Sequence, residues 1–175
     1  MKSKPEYHLL ALNPEATYHL FIASDGGVNA VVRALRGGGE APFAAKILYV
    51  ATDNVVELPN VSASAYSSQS DLQACLRSEL ASVGMGAAYY VAGSEPFIWA
   101  ITTRLVYAGV PLTRIQQEIA GDTGRTVYCV HCGVMNYNVV TSAHPCTGCG
   151  SVLEVRDHFS RPLGAYMGVV LEAAN

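Results

Sequence analysis

Four cysteines limit this chain more than any other feature. Cys129-Val130-His131-Cys132-Gly133 is followed, after Gly133 to Pro145, by Cys146-Thr147-Gly148-Cys149-Gly150, so thirteen residues separate the two pairs. Each C-x-x-C puts two sulfurs on one tight turn, and the glycine behind it lets the backbone curl past the ion. Two such turns supply four thiolates to a tetrahedral metal at about 2.3 Å. The spacing predicts that Cys129, Cys132, Cys146 and Cys149 hold one metal ion and that the ion fastens a small C-terminal ribbon. Four thiolates suit zinc and also rubredoxin-like iron, which would transfer electrons. The short separation favours structural zinc. A closed four-thiolate shell has no open position for water or substrate, so chemistry at the metal is not expected. His131 and His144 are read as surface or second-sphere residues, because the sulfurs already fill the shell.

The rest of the composition excludes several functions. The chain has 175 residues, half of them apolar and 14% charged, enough to bury a core. Its formal charge is -3, and between Thr123 and Val155 only Arg125 and Glu154 carry formal charge besides the cysteines. A neutral-to-negative ribbon cannot provide the phosphate contacts that nucleic-acid binding needs. The first residues are broken by Pro5 and Pro14 and lack a signal peptide's apolar run. No stretch is long and apolar enough to span a membrane. A cytoplasmic protein is expected, with its cysteines reduced and metal-bound.

Ahead of the cysteines the pattern alternates strand and helix. HLFIAS is a compact apolar run, broken by Asp25-Gly26-Gly27 and followed by Val28, Val31, Val32 and Leu35 at helical spacing. KILYVAT (46–52) and AAYYVAG (87–93) read as buried strands, and a shorter strand is expected over 61–66. Asp71 is read as the N-cap of a helix through Leu72, Cys75, Leu76 and Leu80, with Cys75 a buried core thiol. A helix is expected over 96–107, and VPLTRIQQEI as an edge strand or extended tail. This alternation implies an α/β fold: a parallel sheet flanked by helices, followed by the four-cysteine ribbon. The expected division is an N-terminal leader (1–17), an α/β domain (18–120), the ribbon (121–155) and a tail (156–175).

Gly26, Gly27 and Gly93 are the candidates for a nucleotide-phosphate cradle, where backbone N–H groups and a helix N-terminus meet an anion. The turn matches the dinucleotide pattern weakly, and Asp25 sets a carboxylate in the phosphate's place. A tight strand-to-helix turn without ligand explains it equally well. No Ser/His/Asp triad or motif-placed carboxylate pair is present, and His19, Asp53, Glu95 and Glu118 are read as surface or strand-end residues. The chain is therefore expected to be non-catalytic by itself.

FIASDGGVNAVVRALR, KILYVATD and YYVAGSEPFIWAITTRLVYAGVPLTRIQQE resemble three segments of the nicotinamide-binding domain of ferredoxin reductases. Gly93, Glu95, Pro96, Phe97, Gly109, Val110, Pro111, Ile115 and Glu118 fall on that family's C-G-P-E-P-F/M…G-V-P…I-x-x-E pattern. Ala92 replaces its cysteine and Ser94 its following proline, the stretch from Asn54 to Tyr66 is short, and no flavin barrel is expected before Tyr18.

With the ribbon and HFSRPLGAYMG added, nearly the whole chain resembles the small-subunit family of dimethylamine monooxygenase. That resemblance implies a non-catalytic, zinc-stabilised subunit in a multi-subunit oxygenase. A haem-containing catalytic partner and a reductase partner with FMN and a 2Fe-2S cluster would use NADPH to demethylate dimethylamine. The alternative is a nucleotide-binding or rubredoxin-like electron-transfer component. For the tail, packing back on the protein and docking on a partner through Phe159, Tyr166, Met167 and Arg161 both remain open, and the resemblance favours docking.

Overall fold

The computed structural model describes residues 4–38, 44–50 and 61–171. Asp53 and the end of the second expected strand lie outside them. The chain divides between Asp122 and Thr123 into two units, and the residues before Tyr7 join the second.

Among the described residues the first unit is built on five parallel strands in the order β3-β2-β1-β4-β5. They are β1 (Tyr18–Ala23), β2 (Ala44–Val50), β3 (Ser62–Tyr66), β4 (Ala87–Gly93) and β5 (Ile115–Ile119). Every residue of β4 is buried, as expected of a central strand covered on both faces. Helix α1 (Val28–Gly37) packs Val28, Val31 and Leu35 against Phe21, Ile47, Tyr49 and Tyr90. The alternate positions Leu20, Ile22, Leu48 and Val91 are fully buried on the opposite face. There α2 (Gln69–Ala81) meets β2 and α3 (Glu95–Tyr107) meets β4. The strand order reverses between β1 and β4, so the two paired strand ends Ala23 and Ala92 flank the fold's switch point.

Two expectations about α2 are corrected. Its N-cap is Ser68, whose Oγ accepts from the Asp71 N–H at 3.1 Å. Asp71 instead stands at the third helical position, its carboxylate accepting the hydroxyls of Ser68 and Ser67 at 2.7 and 2.8 Å. Those bonds hold its carboxyl below the usual range, Ser68 contributing most. Cys75 is exposed, because the buried stripe follows Leu72 and Leu76 and a neighbour of Leu76 sits about 100° around the helix.

Residues 7–17 are a strap along the first unit. The His8 N–H donates to the Gln117 carbonyl at 3.2 Å and that of Thr17 to Gly86 at 3.0 Å. Leu10 is buried with the α1 side of the core, and Leu12 and Ala16 pack against that cluster. Among the described residues α1 is the helix on that face, and the strap's apolar residues help cover it.

The second unit is a mixed sheet in the order β7-β6-β10-β9-β8. Its strands are β6 (Arg125–Cys129), β7 (Met135–Val139), β8 (Ala143–Pro145), β9 (Val152–Ser160) and β10 (Ala165–Val170). Residues 156–170 are thus built into this sheet. Phe159 and Tyr166, read as partner anchors, are buried and meet edge-to-face with ring centroids 4.9 Å apart. The Arg125 guanidinium lies 5.5 Å from the Tyr166 ring. β10 closes on both neighbours at Gly168, where a Cβ would come within 2.7 Å of Val127 Cγ1 and 2.9 Å of Leu153 Cδ1.

Candidate metal centre

The two cysteine turns have the same hydrogen-bond plan. Cys129 N–H donates to the Val134 carbonyl at 3.0 Å, and Cys146 N–H to that of Ser151 at 2.9 Å. Gly133 N–H returns to the Cys129 carbonyl at 2.9 Å, and Gly150 N–H to that of Cys146 at 2.9 Å. Both glycines have positive φ, +78° and +75°, where a side chain would be strained. The first turn joins β6 to β7 and the second β8 to β9, so the ribbon's own strands hold the turns face to face.

This brings all four sulfurs within 4.8 Å of one another. Cys129 and Cys149 are 3.9 Å apart and Cys132 and Cys146 are 3.6 Å apart. A tetrahedron of sulfurs about 2.3 Å from its centre has edges of about 3.8 Å, so the spacing fits a metal. A disulfide at about 2.0 Å does not fit.

The protonation pattern fits as well. The Cys149 thiol is drawn down to about 5 by the Ser151 hydroxyl and N–H and by His131. The Val134 N–H favours the Cys132 thiolate, but desolvation and the crowding sulfurs of Cys129, Cys146 and Cys149 outweigh it and push that thiol up to about 12. Four sulfurs this close cannot share negative charge alone, and a divalent cation removes the conflict. When bound, such an ion would supply cross-linking of the two turns, with every protein position filled.

Asn136 organises the centre and has no motif to announce it. It is buried, and its Oδ1 accepts from the Thr147 N–H at 2.8 Å and hydroxyl at 3.0 Å. Its Nδ2 lies 3.7 Å from Cys146 Sγ, which also accepts from Gly148 N–H at 3.4 Å. His131 is exposed and reaches Cys149, a second-sphere place, and His144 lies half-buried on β8.

The structure also gathers Gly26, Gly27 and Gly93 at the switch point. Their lack of side chains serves the protein's own backbone: a Cβ on Gly27 would lie 2.1 Å from the Ala92 carbonyl oxygen, and one on Gly26 2.9 Å from Gly121 Cα. Ala120 N–H donates to the Gly93 carbonyl at 2.9 Å, so the segment after β5 lies over this turn.

Three residues read as surface or strand-end groups are buried. His19 Nδ1 is 2.9 Å from Tyr90 Oη, which accepts the Asn13 N–H at 2.9 Å. Glu95 accepts the Tyr7 hydroxyl at 2.7 Å, and Trp99 donates to that same oxygen at 2.8 Å. Glu118 pairs with Arg33. Their partners lie on β4, the strap and α1, far away in sequence. Among the described residues no helix is long and apolar enough to cross a membrane.

Over 68% of its length the chain shares its fold with the siderophore interacting protein of Acinetobacter baumannii, at a TM-score of 0.51 and 14% identity, covering 52% of that chain. The ferredoxin reductase of carbazole 1,9a-dioxygenase also matches, with a TM-score of 0.45 and 18% identity, over 63% of this chain and 34% of that one. The heme-dependent oxidative N-demethylase delta subunit of Ectopseudomonas mendocina (strain ymp) is 35% identical over 108 residues, 62% of each chain. Two domain families cover most of the sequence: the N-terminal domain of the dimethylamine monooxygenase subunit DmmA-like proteins over residues 1–115, and their C-terminal domain over 126–169. The chain belongs to the dimethylamine monooxygenase subunit DmmA-like family.

Proposed function

We propose that this chain is a non-catalytic subunit of a multi-subunit, haem-dependent amine demethylase, and that zinc held by Cys129, Cys132, Cys146 and Cys149 stabilises its ribbon. The observation that carries the reading is the four-sulfur cluster in a chain whose relative is the delta subunit of an oxidative N-demethylase. A closed thiolate shell supports a structural role over a reactive one. Packing of Gly26 and Gly27 against the protein's own backbone supports a reductase-like shape that no longer carries nucleotide chemistry. Partners would then supply the chemistry: a haem subunit to activate oxygen, and a reductase subunit with FMN and a 2Fe-2S cluster to deliver electrons from NADPH. Dimethylamine, O2 and NADPH with a proton would yield methylamine, formaldehyde, water and NADP+.

The test is to co-express the chain with the genes that flank its own, purify the assembly, and assay metals, haem, flavin and NADPH-dependent amine oxidation. Amine oxidation by the assembly, with a colourless zinc-bearing isolated chain, supports the reading. Visible bands from iron on the isolated chain, or an assembly equally active without it, would overturn it.

A further inference from the structure

Helices α2 and α3 leave a groove between them at their carboxyl ends, beside the start of β4. One trough of about 540 Å³ is lined by Gln73, Leu76, Arg77, Leu80, Arg104 and Tyr107, among others. It adjoins a second of about 360 Å³, which shares Leu80 and Ala108 and extends past Met85 to Arg114. This is the opposite end of the sheet from the switch point.

The charge here is one-sided. The two troughs present Arg77, Arg104 and Arg114, and among the described residues no carboxylate lines them. The acidic groups of α2 are committed elsewhere, Asp71 to the cap hydroxyls and Glu79 to Lys46 at 2.6 Å. Arg114 is tied to the carbonyls of Met85 and Ala87. Arg77 and Arg104 make no ion pair with any described residue, whereas Arg33 and Lys46 of the same unit both do. In a chain of net charge -3, this is a local reversal of sign. Large side chains flank it: Tyr107 is 83% exposed and Met85 96%. Arginine, tyrosine and methionine around an apolar floor are the residue types enriched where proteins bind proteins.

We propose that the α2–α3 groove docks a carboxylate-bearing segment of a companion subunit, held by Arg77 and Arg104 beside the Tyr107 ring; this rests on the subunit reading above. Guanidinium groups recognise carboxylates through paired N–H donors, and the leucine floor takes an apolar neighbour of the acid. A solvated helix face would tolerate charge reversal without consequence, so reversal separates the two accounts.

The experiment uses the tagged full chain co-expressed with the genes flanking its own. The wild-type chain should retain the companion subunits at low ionic strength and release them as salt rises. R77E/R104E should weaken retention by about tenfold or more, because like charges then face each other, while R77K/R104K retains most of it. Tyr107→Asp, on an exposed position, is the second probe and should weaken retention in the same direction. Melting temperature and metal content of all variants should match wild type, which certifies the fold. Retention by R77E/R104E and Tyr107→Asp equal to wild type would overturn the groove while leaving the subunit reading standing. Failure of the wild-type chain to retain any companion would remove both. Retention abolished by nuclease would assign the arginines to a polyanion and equally overturn the proposal.

Discussion

The Glu118 carboxylate on β5 meets the Arg33 guanidinium on α1 at 2.5 Å, and the same oxygen accepts the Leu10 N–H at 2.7 Å. One side chain thus ties together the edge strand, the helix and the strap. The Glu118 side chain is only 9% exposed, so its oxygens rely on these partners for hydrogen bonds, whereas Arg33 is half in solvent and remains hydrated without it.

Glu118→Ala should therefore cost more than loss of one surface pair. It orphans the Leu10 amide in a buried setting, and hydrogen bonds to charged groups are worth about 1.5–3 kcal/mol. A destabilisation of that size is expected in denaturant melts, with faster hydrogen exchange at Leu10. Glu118→Gln, which keeps an acceptor, should lose less. Equal stability of Glu118→Ala and wild type would show that the strap is held by its apolar contacts alone.

The glycines at the two ends of α1, Gly27 at its N-cap and Gly37 in its last turn, make a contrasting pair. Gly27→Ala puts a Cβ 2.1 Å from the Ala92 carbonyl oxygen of the central strand, and backbone there cannot yield cheaply. A loss of more than about 2 kcal/mol is expected, in the range of other overpacked or strained sites. Gly37→Ala, in the last turn of the same helix, meets nothing within 4 Å and has no positive φ. It should stabilise by about 0.5 kcal/mol through helix propensity and a less disordered unfolded chain. Thermal melts of the two variants in opposite directions would verify the geometry of the turn.

These cases show what the sequence makes legible. Local signals were readable: the buried runs of β1 and β4, the Pro96 helix, and the cysteine turns with their glycines. Each depends on residues within a turn or two of one another. Partners far apart in sequence were not readable. Leu10 meets Glu118, Tyr7 meets Glu95, and Asn13 meets Tyr90, and no periodicity signals that a polar N-terminal segment will become a strap. The same limit hid Asn136 at the cysteine centre and the strands of residues 156–170, whose glycines and Pro162 argued only against a helix. Gly164, at φ +60°, turns β9 back into β10.

His19 gives the fold a pH dependence of known sign. It is 3% exposed, stacked near Phe21 and Tyr90, and burial lowers its pKa below the ordinary 6.5. The folded protein therefore holds it neutral, whereas the unfolded chain binds a proton as pH drops through about 6.5. Its contribution is fully present above that value and is lost progressively as pH falls towards the lower folded-state pKa. Stability should decline with acidification in this window, and His19→Gln should flatten that part of the profile. Denaturant melts at a series of pH values test it; an unchanged slope in His19→Gln would assign the dependence to other groups.

Removing the metal should act on the ribbon through cross-linking, because the two cysteine turns belong to different hairpins of one small sheet. A unit of fewer than about seventy residues rarely stabilises itself without a staple, and a structural zinc's binding energy counts directly towards folding. Native mass spectrometry should find a single zinc ion per chain. Cys146→Ser should abolish binding, since that sulfur also receives the Gly148 N–H and lies beside Asn136. Asn136→Ala keeps all four ligands but frees Thr147, so a weakening of about tenfold or more in zinc affinity is expected of such a supporting group. A chelator should lower the melting temperature of the wild-type chain and leave that of Cys146→Ser unmoved. A wild-type chain isolated without any ion, and indifferent to chelator, would mean that the sulfur cluster is held by the strands themselves and that zinc has no part in the fold.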